Sequence, residues 1–263
     1  MSETNSSTGS PISEGSTIEE RQQAWAKPVD RLKVAGVEPG GVNLNVNSRH
    51  LTSPLNGFGQ MWQKTYRIRL SGANTTPQQV IKVWKENFPK FWLEGNYFYG
   101  PKTGIAPGEV AILNLAGPYN IRAPGDAPMI STGILIIYAD EESFSFMTPE
   151  GHMFAAFNTF SAYEEDDGTV AQIQALIRAS DPLYEIGMRL GVINVTEDNF
   201  WHTDLKNLAV YFGVEGAVQQ TNTLIDSRLQ WKYARNIYHN AAIRTGLYHL
   251  TAPVRWAVSL VRG

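Results

Sequence analysis

The sequence predicts an α+β fold in which one antiparallel sheet is followed along the chain by helices. Three observations carry this. Five runs between Glu109 and Ala179 are rich in β-branched and aromatic residues. They are separated by turn residues, and consecutive strands with short turns fit an antiparallel meander. After Ala179 the apolar spacing changes to that of a helix.

The elements read in order as follows. Residues 1–50 form a leader expected to be disordered or weakly ordered. Met1 to Thr17 are mostly Ser, Thr, Gly and Glu, a short helical attempt spans Ile18 to Ala26, and Gly36 to Asn47 have turn chemistry without a sustained period. The run Thr65-Tyr66-Arg67-Ile68-Arg69-Leu70 alternates as a half-buried strand, and Ser71-Gly72 ends it. Thr76 then caps a helix with Pro77 at its first position. Val80, Ile81, Val83, Trp84 and Phe88 form its apolar stripe, and Pro89 is expected to stop it. After a turn-rich aromatic stretch from Phe91 to Gly100 come strands at Glu109–Leu115, Ile130–Tyr138, Ser143–Thr148, Phe154–Tyr163 and Thr169–Ala179. Asp167-Gly168 gives the strongest hairpin signal. The last strand loses its alternation near Gln172, which predicts a bulge there. Asp181-Pro182 opens a short helix to Leu190, and Thr196-Glu197-Asp198 opens another that Gly213 ends. A longer helical pattern covers about Glu215 to Thr245, roughly 45 Å if continuous. These boundaries divide the chain into a leader at 1–50, a domain at 51–213 and a C-terminal helical extension at 214–263.

Composition narrows the functions. Of 263 residues, 43% are hydrophobic and 18% charged, with seven Trp, eleven Tyr and eleven Phe, enough to fill a substantial core. The absence of cysteine excludes disulfides, thiolate metal sites and cysteine nucleophiles. It fits a reducing compartment and, with no signal peptide in the opening residues, a cytoplasmic location is expected. A formal net charge of −3 argues against nucleic acid as a partner. No apolar run is long enough to span a membrane. The five histidines never fall at i, i+4 spacing, and no Walker loop, G-x-S-x-G elbow or dinucleotide fingerprint is present. Neither metal nor cofactor is expected.

Three stretches carry a resemblance: Phe58-Gly59-Gln60-Met61-Trp62-Gln63-Lys64, Thr148-Pro149-Glu150-Gly151-His152, and Arg178-Ala179-Ser180-Asp181-Pro182. Together they resemble a bacterial family of uncharacterised function in the START-like helix-grip superfamily of polyketide cyclases and lipid-transfer proteins. The similarity covers roughly Leu51 to Gly213, and its most specific element is the Thr-Pro-Glu-Gly-His turn. The resemblance implies a curved antiparallel sheet gripping a C-terminal helix, with an internal cavity that takes apolar molecules.

The candidate site follows from that expectation. Trp92, Tyr97, Phe98, Tyr99, Phe146 and Phe157 are candidate ligand-binding aromatics, or ordinary core. Glu150 can orient or charge the His152 imidazole at a cavity mouth and make the pair an acid and base, whereas the plain alternative is a turn with the ring bonded to backbone. Arg178 can bind a ligand carboxylate, or pair structurally with Asp181. The tail places Trp231, Tyr233, Tyr238, Tyr248 and Trp256 among Arg228, Lys232, Arg235, Arg244, Arg255 and Arg262. Such a face suits peripheral membrane contact or a second copy of the chain, and homo-oligomerisation through residues 214–263 is the expectation. Two functions stand: non-catalytic binding of a small hydrophobic or amphipathic ligand, and a cyclase- or aromatase-like enzyme using His152 and Glu150. A third makes the protein an assembly component acting through its C-terminal helices.

Overall fold

A computed structural model describes residues 22–166 and 168–252. Residues 18–21 of the helical attempt at Ile18 to Ala26 therefore lie outside the described residues, as do Asp167 of the hairpin and, in the tail, Trp256, Arg255 and Arg262.

The strands are β1 (Leu51–Thr52), β2 (Met61–Arg69), β3 (Tyr97–Tyr99), β4 (Val110–Leu115), β5 (Ile130–Ala139), β6 (Ser143–Pro149), β7 (Phe154–Glu165), β8 (Gly168–Ala179) and β9 (Gln219–Asp226). All pair antiparallel in the order β3-β4-β5-β6-β7-β8-β2-β9, with β1 added at the end of β6. The helices are α1 (Pro77–Phe91), α2 (Pro182–Arg189), α3 (Val192–Tyr211) and α4 (Ala241–Leu250).

Local chemistry explains most of these boundaries. Thr76 caps α1 in a capping box: its hydroxyl accepts from Gln79 N, while the Gln79 side chain accepts from Thr76 N. The helix continues through Pro89 to Phe91, two residues past the expected stop. Asp181 caps α2, its carboxylate accepting from the backbone of Leu183 and Tyr184. Helix α3 begins at Val192, four residues before the expected Thr196, immediately after Gly191 in the left-handed region at φ 79°.

The sheet curls over α3. Tyr66, Ile68 and Leu70 share its concave face with Leu113, Ile134, Phe144, Phe146 and Phe160. They pack on Val80, Trp84 and Phe88 of α1 and on Trp201, Leu205 and Leu208 of α3. Phe144 and Phe160 stack at 4.7 Å across β6 and β7, and Trp84 meets Phe160 edge-on at 5.3 Å. One structural polar pair sits in this core. Trp84 Nε1 donates to the fully buried Asp204 at 3.0 Å, and burial raises that carboxyl well above the ordinary range.

Four sequence expectations need correction. Residues 22–50 are not a weakly ordered leader. Leu32 and Val46 are buried with Val110 and Leu135 on the convex face, and the Val46 methyls approach Gly133 more closely than a β-carbon there would allow. A strand bearing apolar groups on both faces requires a cover on each side, and this segment supplies the second.

The Gln172 bulge is also absent. Residues 170–178 keep continuous register with both neighbours, and the irregularities fall between Met61 and Trp62 and between Ile136 and Tyr138.

The stretch 215–245 is not one helix. Gln219–Asp226 pairs along β2 as an edge strand, Trp231–His239 forms a 3-10 helix, and α4 packs on β5. Thr221, Asn222 and Thr223 are weak helix formers, and pairing satisfies backbone groups that β2 would otherwise leave open. The tail is anchored on its own chain at several points, while Trp231, Tyr238, Leu247 and Leu250 stay exposed: Gln230 N donates to Phe58 O, Tyr233 Oη donates to Asn56 Oδ1, and the Trp231 ring meets Phe58 edge-on at 5.3 Å.

Last, Tyr97–Tyr99 is a short strand where turn chemistry dominated the sequence.

Candidate functional site

Between the concave face of β4–β7 and the first turns of α3 lies a cavity of about 100 Å³. It is comparable in scale to a dry engineered cavity of about 150 Å³ that admits benzene. Its wall is mainly apolar: Leu113, Leu115 and Ala116, Ile134, Phe146, Met153, Phe154 and Ala156, with Trp92 after α1 and Phe200 and Trp201 from α3. Trp92 and Phe200 meet at 5.0 Å and Phe200 and Trp201 at 4.8 Å, so three aromatic rings form one side. Polar groups on the wall are Asn96, Thr148, His152, Asn158, Thr196 and Glu197. This combination, an apolar concavity with a few convergent polar groups, characterises small-molecule sites.

The alternation of β6 and β7 sets the composition of the wall. Phe146 and Thr148, like Phe154, Ala156 and Asn158, occupy every second position and so point to the same face. Thr148 braces the strand pair by donating to Phe154 O at 2.8 Å and accepting from Ala156 N at 3.0 Å.

His152 is buried in the wall. Its Nδ1 lies 3.1 Å from Phe154 N and 3.2 Å from Phe154 O, so either neutral tautomer finds a partner there. Burial depresses its pKa to about 4, against a smaller opposing contribution from the backbone bond. The imidazole is neutral at neutral pH.

Beside the cavity, the sheet and helix are joined by a buried charge cluster. Lys64 of β2 donates to Glu197 and Asp198, each at 2.8 Å, and to Asn194 at 3.1 Å; Tyr66 Oη donates to Asp198 at 2.7 Å. Burial pulls the Lys64 pKa down, but the two carboxylates outweigh it and raise it. Burial raises Glu197 against the pull of Lys64, whereas the bonds from Lys64 and Tyr66 overcome desolvation and lower Asp198.

The expected site residues divide. Trp92, Phe146 and His152 line the cavity. Phe98 packs behind it against Phe88 and Trp92. Tyr97 is beneath the Arg122 guanidinium, and Tyr99 packs against Gly40 and Gly41; neither lines the cavity. Phe157 falls out of phase with Phe154, Ala156 and Asn158 and is likewise absent from the wall.

Glu150 is not the partner of His152. Its carboxylate accepts from His50 N at 3.4 Å and lies outside the lining, because the left-handed Gly151 turns the chain between them. Arg178 is also outside. Its guanidinium donates to the carbonyls of Gly59 and Arg228 and to the carboxylate of Asp226, whereas Asp181 caps α2 and accepts from Asn240. The expected Arg178–Asp181 pair is therefore replaced by an Arg178–Asp226 pair that ties β8 to the end of β9.

The sequence reading missed Asn158, Glu197 and Lys64. The signal was present in part: Lys64 alternates with Tyr66, Ile68 and Leu70, which places a cation on a buried face.

Fold and cavity together define an α+β helix grip, a curved antiparallel sheet closed over α3. No family model and no curated protein sequence matches the chain. Among solved structures, a START superfamily protein from Mycobacterium smegmatis is 16% identical over 59% of this chain and 98% of its own, with a TM-score of 0.37. The di-domain ARO/CYC StfQ from the steffimycin biosynthetic pathway is 8% identical over 59% and 51%, with a TM-score of 0.43. The major latex-like protein 151 of Panax ginseng is 11% identical over 54% and 99%, with a TM-score of 0.30. Likeness at this level transfers neither ligand nor activity. Among the described residues no helix is long and apolar enough to cross a membrane.

Proposed function

We propose that the protein binds a small hydrophobic or amphipathic ligand in the cavity beneath α3, without catalysis. The observation that carries this reading is the wall itself, with three aromatic rings and a run of aliphatic side chains around unfilled space. A protein interior ordinarily packs without voids of this size, and leaving one open forgoes contacts that a guest would restore. Native mass spectrometry of protein purified from its own host, followed by solvent extraction, tests it. A stoichiometric small molecule is the expected result, and recovery of empty protein in every preparation overturns the proposal.

A second reading has His152 exchange a proton with the bound guest, and the position of the imidazole on the cavity wall favours it. Glu150 has no part in this version. Incubating the extracted molecule with fresh protein distinguishes the two. An unchanged mass and chromatographic retention supports binding alone, whereas conversion that His152→Asn abolishes supports the enzyme.

A further inference from the structure

The C-terminal segment differs from the rest of the chain in charge. Between Ser227 and Gly263 lie six cations, Arg228, Lys232, Arg235, Arg244, Arg255 and Arg262, and no Asp or Glu. The chain's net charge of −3 is therefore +6 in this segment against −9 in residues 1–226. Arg228 pairs with Asp226, whereas Lys232, Arg235 and Arg244 are exposed and make no ion pair among the described residues. A run of one sign with no acid interspersed attracts an anionic surface.

Helix α4, in the middle of this segment, turns its aliphatic side outwards. The residues it buries against the sheet are Ala241 and Thr245, and Thr245 Oγ1 accepts from Ser131 N at 3.0 Å. Ile243, Leu247 and Leu250, spaced i, i+4 and i+7, are exposed at 40%, 56% and 78%. A surface helix ordinarily keeps such a stripe for its own core. Single exposed aliphatics are common, but three on one face of a helix mark a contact with something apolar. Arg244 and Tyr248 are exposed on the same helix, and none of these side chains lines the cavity.

We infer that α4 docks on an anionic lipid surface, with Ile243, Leu247 and Leu250 entering the boundary between headgroups and acyl chains and the cations of the segment meeting the headgroups. An aliphatic stripe needs an apolar medium and the cations beside it need anions, and an anionic bilayer offers both at one boundary. A second copy of this face would set +6 against +6. Nucleic acid would satisfy the cations but leave the three aliphatic side chains in water. The inference goes beyond the cavity reading and holds whether or not the cavity takes a guest.

Co-sedimentation of the full chain with vesicles tests this, using phosphatidylcholine alone and phosphatidylcholine with about a third phosphatidylglycerol. Binding to the anionic vesicles is expected to be at least about ten-fold tighter than to the neutral ones, and to weaken as salt is raised. Leu247→Gln combined with Leu250→Gln should weaken it at least about ten-fold, because two leucines no longer leave water on docking. Thermal melting of that variant should match wild type, since both side chains are exposed. No binding to the anionic vesicles overturns the inference, as does equal binding to both kinds or binding that the double variant leaves undiminished. Retention by duplex DNA but not by vesicles assigns the cations to nucleic acid and also overturns it. So does a wild-type oligomer, seen by light scattering, that the double variant dissolves while vesicles bind neither protein. If the double variant fails to fold, the wild-type preference for anionic vesicles and its salt dependence decide the inference alone.

Discussion

Lys64 and Glu197 meet at 2.8 Å in the interior, with side-chain exposures of 3% and 6%, and join the middle of β2 to the first turns of α3. The pair stands where the gripped helix enters the sheet. Its worth lies less in added stability than in fixing where α3 sits, since a buried pair roughly balances its own desolvation. Because Glu197 also lines the cavity, the same contact sets the position of the aromatic side formed by Phe200 and Trp201 one turn further along.

Removing one partner should therefore be far more damaging than removing both. Lys64→Met leaves Glu197 and the partly buried Asp198 without their cation, and is expected to cost about 3–5 kcal/mol in urea unfolding. The double substitution Lys64→Met with Glu197→Leu should recover a substantial part of that loss. A Lys64→Met protein as stable as wild type would show that the cluster is solvated.

His152 supplies a pH dependence whose sign follows from its burial. Its folded pKa of about 4 is below the ordinary 6.5, so between these values the unfolded chain binds a proton that the folded chain does not. Its contribution is fully present above pH 6.5 and is lost as pH falls towards 4, amounting to roughly 3 kcal/mol at about 1.4 kcal/mol per pH unit. Glu197, Asp181 and Asp204 have raised pKa values and slope the other way, so the quantity to measure is the difference between wild type and His152→Gln. That difference should shrink between pH 6.5 and 4. A histidine ring titrating near 6.5 by NMR would contradict the burial.

Gly151 marks the turn most specific to the family resemblance, and its role is one of contact. Its φ is 89°, and a β-carbon there would stand 1.9 Å from His239 O. Its own carbonyl accepts from Ala241 N at the start of α4. Gly151→Ala should cost at least about 2 kcal/mol, combining the left-handed backbone with a backbone clash. Limited proteolysis should then cut within residues 227–240 faster than in wild type. Unchanged melting and cleavage would show that the tail does not depend on this contact.

Much of the fold was legible because strand and helix periods are local properties. The alternation of Thr65 to Leu70, the Thr76-Pro77 start of α1 and the Asp181-Pro182 start of α2 are each decided within a few residues. The site was legible only where a residue's face followed from its own strand. Phe146 and His152 fall on the cavity side, whereas Phe157, one residue out of phase with Ala156 and Asn158, does not line it. Arg178 illustrates the other limit: Asp181 is three residues away in sequence, yet Asp226 wins the guanidinium because β9 returns along β2 and brings it alongside.

By itself, then, the sequence determined the order of elements, the antiparallel meander and a composition rich enough in aromatics to build a large core. Only the tertiary structure decided that residues 22–50 cover the convex face, that Gln219–Asp226 completes the sheet as an edge strand, and that Trp92 and Asn158 border one cavity with unpaired polar atoms. The physical reason is range. Periodicity and capping are set by neighbours along the chain, whereas burial, ion pairing and cavity lining depend on which distant segments arrive at the same place, and a pairing such as Asn45 with Thr245 or Lys64 with Glu197 leaves no local trace.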